Sequence, residues 1–256
     1  MKKNILITGA SSGIGKSIAY LFAAQGWNLI LTGRREDRLE EIKTDLSNRF
    51  HTIIQCLIFD VRDLAQTQQA LAGIDETLFP QIDVLVNNAG LAAGFGSIDQ
   101  GQYDDWNRMI DTNVKGLLHV SREMIPRFKS QGFGHIVNIG STAGKDVYPN
   151  GNVYCATKHA VDALSQSMRI DLLPFGIKVT AVNPGACETE FALVRFNGDQ
   201  DKANKVYDGF TPLTPDDVAS TIYFACNLPA HVCINDLTLT CTQQANAHHI
   251  SRNTTN

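Results

Sequence analysis

The feature that most constrains this chain is a glycine-rich turn, Gly9-Ala10-Ser11-Ser12-Gly13-Ile14-Gly15, set between two apolar runs of different period. Before it, Asn4-Ile5-Leu6-Ile7-Thr8 has the length and unbroken hydrophobicity of a strand buried on both faces. After it, residues 16–25 read as a helix stopped by Gly26. Strand, turn of small residues and helix, in that order, make a cradle for a pyrophosphate. Main-chain N–H groups approach the phosphates where no side chain stands, and the helix N-terminus adds partial positive charge. The spacing is G-x-x-x-G-x-G rather than G-x-G-x-x-G, and a plain tight turn is the competing explanation. The cradle nominates Gly9, Ser11, Ser12, Gly13, Ile14 and Gly15 as cofactor contacts.

The same alternation continues. Residues 28–32 form a second strand, at whose end such a fold meets the adenosine ribose. A carboxylate there would bind a 2′-hydroxyl, but this chain has Gly33, Arg34 and Arg35. Arginines suit a 2′-phosphate through charge-assisted bonds, which favours NADP(H); the plainer alternative is two solvated arginines opening a charged helix over 34–49. A third strand, 53–59, ends at Asp60-Val61, where Asp60 either accepts from the adenine amino group or caps the helix predicted over 63–78. A fourth, 82–86, runs into Asn87-Asn88-Ala89-Gly90, small and amide residues suited to a cofactor wall at Asn87, Ala89 and Gly90. Residues 103–127 read as a long helix broken near Pro126. Asn113 inside it is mildly unfavourable there, and bending the helix would free a main-chain carbonyl to hold a water.

In the second half a fifth strand, 135–139, delivers Ser141 at its end, and a helix over 151–173 carries Tyr154 and Lys158. A sixth strand, 178–182, leads to Pro184-Gly185 and then Thr189. Residues 191–206 read as a helical flap interrupted at 197–199, a further helix starts at Thr214-Pro215, and 237–240 is a seventh strand at the sheet's edge. No linker or repeat divides the chain. The fold class is therefore α/β: a single-domain Rossmann-type doubly wound parallel sheet of about seven strands, spanning 1–247, with 248–256 as a flexible tail.

Tyr154 and Lys158 are four apart, so on a helix they share a face one turn apart. A free phenol titrates near pH ~10 and is a poor acid or base at neutrality, whereas a neighbouring ammonium favours the phenolate. A tyrosine so tuned is a plausible general acid–base, with the Ser141 hydroxyl donating to a substrate oxygen. Alone, Y-x-x-x-K describes many surface pairs; its position at a strand's carboxyl end gives it weight.

The totals exclude other classes. A net charge of −4 leaves no basic excess for nucleic acid and no polybasic run for a membrane surface. The opening Ile5-Leu6-Ile7 is too short for a signal peptide or membrane span, so a cytoplasmic protein with free thiols is expected. None of the six cysteines sits at C-x-x-C or zinc-ligand spacing, and no metal site is expected.

Jointly, Thr8 to Gly15, Asp60, Asn87 to Gly90, Asn113, Ser141, Tyr154, Lys158 and Pro184-Gly185 with Thr189 resemble the short-chain dehydrogenase/reductase family over nearly the whole length. The resemblance implies a catalytic tetrad of Asn113, Ser141, Tyr154 and Lys158, with Lys158 on the nicotinamide ribose, Thr189 at the nicotinamide amide, and a homotetramer. Residues 140–144, 151–154, 188–191, 194–199 and 228–232 look more narrowly like the NADP-dependent 3-hydroxy acid dehydrogenases that act on serine and allo-threonine. A 3-hydroxy acid needs a cation for its acid group. Arg195, shortly after Thr189, is the candidate; its alternative is an ion pair with Asp199 or Glu190 that stiffens the flap. The alternatives for function are a carbonyl or acyl-carrier reductase of the same fold, or a nucleotide-sensing protein without turnover.

Overall fold

The computed structural model describes residues 2–253. Its strands are β1 (Asn4–Ile7), β2 (Asn28–Gly33), β3 (Ile54–Ile58), β4 (Val84–Asn87), β5 (Gly134–Ile139), β6 (Ile177–Pro184) and β7 (Asp236–Leu239). They pair in the order β3-β2-β1-β4-β5-β6-β7, every pair parallel. The chain winds outward from β1 to β3, then crosses back and winds the other way from β4 to β7. That reversal opens a crevice beyond the carboxyl ends of β1 and β4, where folds of this kind bind ligands.

Side chains alternate across the sheet, and each face is closed by helices. On one side Ile5, Ile7, Leu29 and Leu31 pack under Ile18 and Phe22 of α1 (Gly13–Ala24), Leu39 and Ile42 of α2 (Glu36–Phe50), and Ile222 of a later helix, Pro215–Cys226. On the other, Leu6, Ile30, Leu85 and Ile136 meet Leu71 of α3 (Leu64–Ala72), together with two helices after β4. The first stretch after β4 is one continuous rod: α4 (Tyr103–Ile110), a π-helical turn over Asp111–Gly116, and α5 (Leu117–Gln131), whose Val120, Met124 and Phe128 face the sheet. The second is α6 (Asn152–Leu172), which contributes Val161 and Met168. Two six-residue helices, α7 (Glu190–Arg195) and α8 (Gln200–Lys205), form the flap, and α9 (Pro215–Cys226) starts in a Thr214/Asp217 capping box. No helix among the described residues is long and apolar enough to cross a membrane.

Three expectations are corrected. The third helix ends at Ala72 rather than near residue 78, because Gly73 follows and the Asp75 carboxylate takes the N–H groups of Thr77 and Leu78 into a turn of its own. The helix through Pro126 is not broken there but runs to Gln131 and stops at Gly132, φ +74°. Pro126 lies on the solvent side with Arg122 four residues before it, so the carbonyl that loses its partner belongs to an exposed residue. The C-terminal segment, expected to be free, folds back over the flap as far as residue 253: Ser251 N–H donates to the Gln243 carbonyl, Arg252 to those of Val206 and Asp208, and Asn253 N–H to that of Gly209. Polar composition suggested a tail, but its main-chain and side-chain donors find partners on the flap. Residues 254–256 lie outside the described residues.

Candidate active site

The carboxyl ends of the strands open into one cleft of about 1000 Å³ that runs from the glycine turn past Arg34 and Arg35 to the flap and the C-terminal segment. Its floor is braced from below. Gly9 adopts φ +66°, and a Cβ there would lie 3.0 Å from the Ala89 backbone. Asn88 locks this approach: its amide donates to the carbonyls of Thr8 and Gly9, at 2.8 and 3.1 Å, while its own N–H donates to Thr8 Oγ1. Neither a side-chain cap nor an acidic residue occupies the first turn of α1, so its N–H groups face the cleft. These features fit a dinucleotide phosphate.

Most of the nominated cofactor residues meet at this cleft: Gly9, Ser11, Ser12, Gly13, Ile14, Arg34, Arg35, Asp60, Val61, Ala89, Gly90, Pro184, Gly185 and Thr189 all line it. Two do not. A Cβ on Gly15 would stand 2.5 Å from both Asn88 and the Gly9 carbonyl, so this glycine closes the turn from behind. Asn87 points into the sheet, donating to Ser121 and Asn138 at 2.9 Å each; the next residue, Asn88, faces the cleft instead. A strand's alternation separates the two amides, and the doubled Asn concealed which was which.

The cations at the ribose end are already engaged. Arg35 donates to Ser11 and Ser12 and pairs with Glu190 at 3.1 Å, and Arg38 reaches the same carboxylate at 2.7 Å. Arg34 is the freer arginine, 61% exposed and 3.7 Å from Asp60. Asp60 does not cap α3; Asp63 does, and Arg62 holds the Asp60 carboxylate through two-pronged contacts of 2.9 and 2.6 Å.

Further along the cleft lie Ser141, Tyr154 and Lys158. Ser141 ends the β5 connection and caps a short turn by accepting from Ala143 N–H. Tyr154 is 8% exposed and Lys158 7%. The Lys158 ammonium donates to the Ile139 carbonyl at 2.8 Å and lies 5.9 Å from the Tyr154 ring centre. Burial pushes the Lys158 pKa down to about 8. Burial also raises the Tyr154 phenol, as does Tyr148, while the Ser141 hydroxyl and the Arg195 guanidinium pull it the other way without cancelling the rise. The phenol is therefore not lowered as expected from its lysine, because the enclosing core disfavours the charged form of both groups. Asn113 sits in the π-helical turn, its amide donating to the Leu91 carbonyl and Thr157 and its oxygen accepting from Leu91 N–H. The side chain thus ties three elements together, and the main-chain distortion expected there takes the form of a wider helical turn, a frequent mark of functional sites.

The flap closes the far wall. Thr189 caps α7 and stands 3.4 Å from where a Gly13 side chain would begin. Arg195 turns inward. Its guanidinium carbon lies 4.8 Å from the Phe95 ring centre and 5.5 Å from those of Tyr148 and Tyr154. Neither proposed ion-pair partner takes it, since Glu190 serves Arg35 and Arg38, and Asp199 caps α8 and pairs with Lys202. Sequence reasoning missed Tyr148, Phe95 and Gln244. The last is buried and fixes the loop after β6 by accepting from Ala186 N–H at 2.8 Å. No local pattern marks these residues: Phe95 and Gln244 meet the site through contacts distant in the chain, and Tyr148 lies in the irregular loop before α6.

Residues 3–199 match the short chain dehydrogenase family model, and the chain belongs to that family. It is 44% identical to a serine 3-dehydrogenase of Agrobacterium fabrum over 93% of this chain and 94% of that one. It is equally 44% identical to sulfoacetaldehyde reductase 2 of Chromohalobacter salexigens, covering 96% of both. Among solved structures, the closed form of a serine dehydrogenase complexed with NADP+ superposes with a TM-score of 0.90 at 42% identity, covering 98% of this chain and 99% of that one.

Proposed function

We propose that this protein is an NADP-dependent dehydrogenase that interconverts a small 3-hydroxy acid, of the serine, allo-threonine, 3-hydroxypropionate or 3-hydroxyisobutyrate type, with its 3-oxo acid or semialdehyde. NADP(H), when bound, supplies the hydride acceptor or donor. The glycine turn and the start of α1 hold the pyrophosphate, and Arg34 with Arg35 holds the 2′-phosphate. Thr189 meets the nicotinamide amide, and Lys158 the nicotinamide ribose. In oxidation Ser141 orients the substrate hydroxyl, and Tyr154 takes its proton as the carbinol hydrogen leaves as hydride. The proton then passes towards solvent through a water held by the Asn113 carbonyl. Reduction runs the same steps in reverse. The protein acts in the cytoplasm as a homotetramer.

The observation that carries the substrate reading is a guanidinium without a carboxylate partner among the described residues, facing the acid–base tyrosine across the cleft, 5.5 Å from its ring centre. Two carbon–carbon bonds span about 2.5 Å. An acid group one or two carbons from the reacting carbon therefore reaches Arg195 while the hydroxyl stays at Tyr154. A reductase of neutral carbonyls offers no acid group for such a cation to meet. A sulfonate is a second reading, since a guanidinium donates equally well to its oxygens and a sulfoacetaldehyde reductase stands among the relatives. The test is the absorbance change at the nicotinamide band with NADP+ or NAD+ against serine, allo-threonine, 3-hydroxypropionate, 3-hydroxyisobutyrate and 2-hydroxyethanesulfonate. Turnover of a carboxylic acid with NADP+ preferred is expected. Preference for the sulfonate selects the second reading, and turnover of neutral alcohols alone rejects both.

A further inference from the structure

The Tyr154 ring is faced by cations from two sides. Lys158, on its own helix, lies 5.9 Å from the ring centre and spends a proton on the Ile139 carbonyl. Arg195, from the flap, lies 5.5 Å away on a different element. The remaining titratable neighbours are Cys155 on α6 and Tyr148 in the loop before it; the other polar and aromatic neighbours are Ser141 at the end of β5 and Phe191 on α7, its ring centre 5.5 Å away. None of them carries positive charge. Arg195 is held where it stands, its Nε donating to the Gly94 carbonyl at 3.4 Å and its own carbonyl accepting from Gly94 N–H at 3.2 Å. Phe95 and Tyr148 shield the guanidinium, and among the described residues it has no carboxylate partner. An uncompensated cation at this distance in a partly enclosed site stabilises a phenolate.

We propose that Arg195, besides meeting the substrate's acid group, tunes the acid–base tyrosine itself, so that docking of the flap sets the proton affinity of Tyr154. This rests on the reading of Tyr154 as the general acid–base. The inference assigns to a flap residue part of the task that the lysine one turn along the helix was expected to perform alone. It also links the two ends of the substrate: an acid group bound to Arg195 neutralises the charge that favours the phenolate, whereas a neutral alcohol leaves that charge in place.

The test uses a secondary alcohol without an acid group, so that loss of acid binding does not enter. Oxidation needs the ionised phenol, so kcat/KM rises with pH through the Tyr154 titration. In Arg195→Ala the phenolate loses its cation, and the rise moves about one unit towards higher pH; in Arg195→Lys it returns most of the way to wild type. Coincident profiles for wild type and Arg195→Ala would overturn the proposal. A second readout needs no turnover. The near-ultraviolet phenolate titration of each NADP+-bound protein, minus that of its Tyr154→Phe counterpart, isolates Tyr154 and carries the same displacement, and its absence overturns the proposal equally. The function reading fails separately, if no hydroxy acid is oxidised or if Tyr154→Phe keeps its activity.

Discussion

The two walls of the cleft are built on opposite plans. The cofactor wall stands on β1 and β4, buried along their whole length, and its turn is locked by Thr8 and Asn88 through several short hydrogen bonds. The substrate wall is two six-residue helices, far below the length that sustains a helix by itself. It is tethered at points: the Thr189 and Asp199 caps, Glu190 on Arg35 and Arg38, Tyr207 on the Cys187 carbonyl, and Arg252 on the carbonyls that end α8. A wall standing on buried strands suits the proposed part of the reaction common to the family. A wall of short helices joined to the body at separate points holds Arg195, the group proposed to select the substrate.

If that division holds, substitutions separate by wall. The largest effect is expected where both meet: Tyr154→Phe lowers kcat by about 10³-fold with NADPH affinity unchanged by fluorescence titration. A parallel loss of NADPH binding would mean that the tyrosine belongs to the cofactor wall alone. Next comes the sheet beneath. His135 is buried on β5, its Nε2 bonded to Thr180 Oγ1 at 2.7 Å, and burial, with a smaller contribution from Lys178, pushes its pKa down to about 3. The folded state disfavours the imidazolium. Its contribution to stability is thus present above the unfolded pKa near ~6.5 and is lost as pH falls towards the folded value, by up to about 1.4 kcal/mol per pH unit. Denaturant unfolding between pH 7 and 4 should show this slope, and His135→Gln should flatten it.

Two smaller effects distinguish the walls directly. Arg34→Ala should lower kcat/KM for NADP+ about tenfold and leave NAD+ within about twofold, the loss of one charge-assisted contact. An equal fall with both cofactors would make Arg34 a solvated surface residue. Arg252→Ala should raise KM for the hydroxy acid several-fold, by about 1 kcal/mol, while NADPH affinity holds and protease cleavage within residues 196–210 accelerates. Unchanged cleavage would show that the C-terminal segment does not hold the flap.

What was legible in the sequence follows the same line. Strand, turn and helix are local patterns, so the sheet, the glycine cradle and the placing of Ser141, Tyr154 and Lys158 at one cleft could be read from short windows. The interruption of the flap at Asn197-Gly198-Asp199 was equally visible, since Asn197 and Gly198 adopt positive φ there. Side-chain partners were not. Glu190 turning to Arg35, more than 150 residues earlier, left Arg195 free, and nothing near residue 195 announces it. The same holds for Asn87, which joins Ser121 and Asn138 across the sheet, and for Arg252, whose partners lie more than 40 residues before it.

The central claim is that the tethered wall presents the Arg195 guanidinium to the acid group of the substrate. The direct measurement is kcat/KM for 3-hydroxypropionate divided by that for a secondary alcohol without an acid group, in wild type and Arg195→Ala, at a pH above both titrations. The ratio should fall by about 30-fold or more in the variant, as expected for losing a charge-assisted, two-pronged contact. An unchanged ratio would contradict the account.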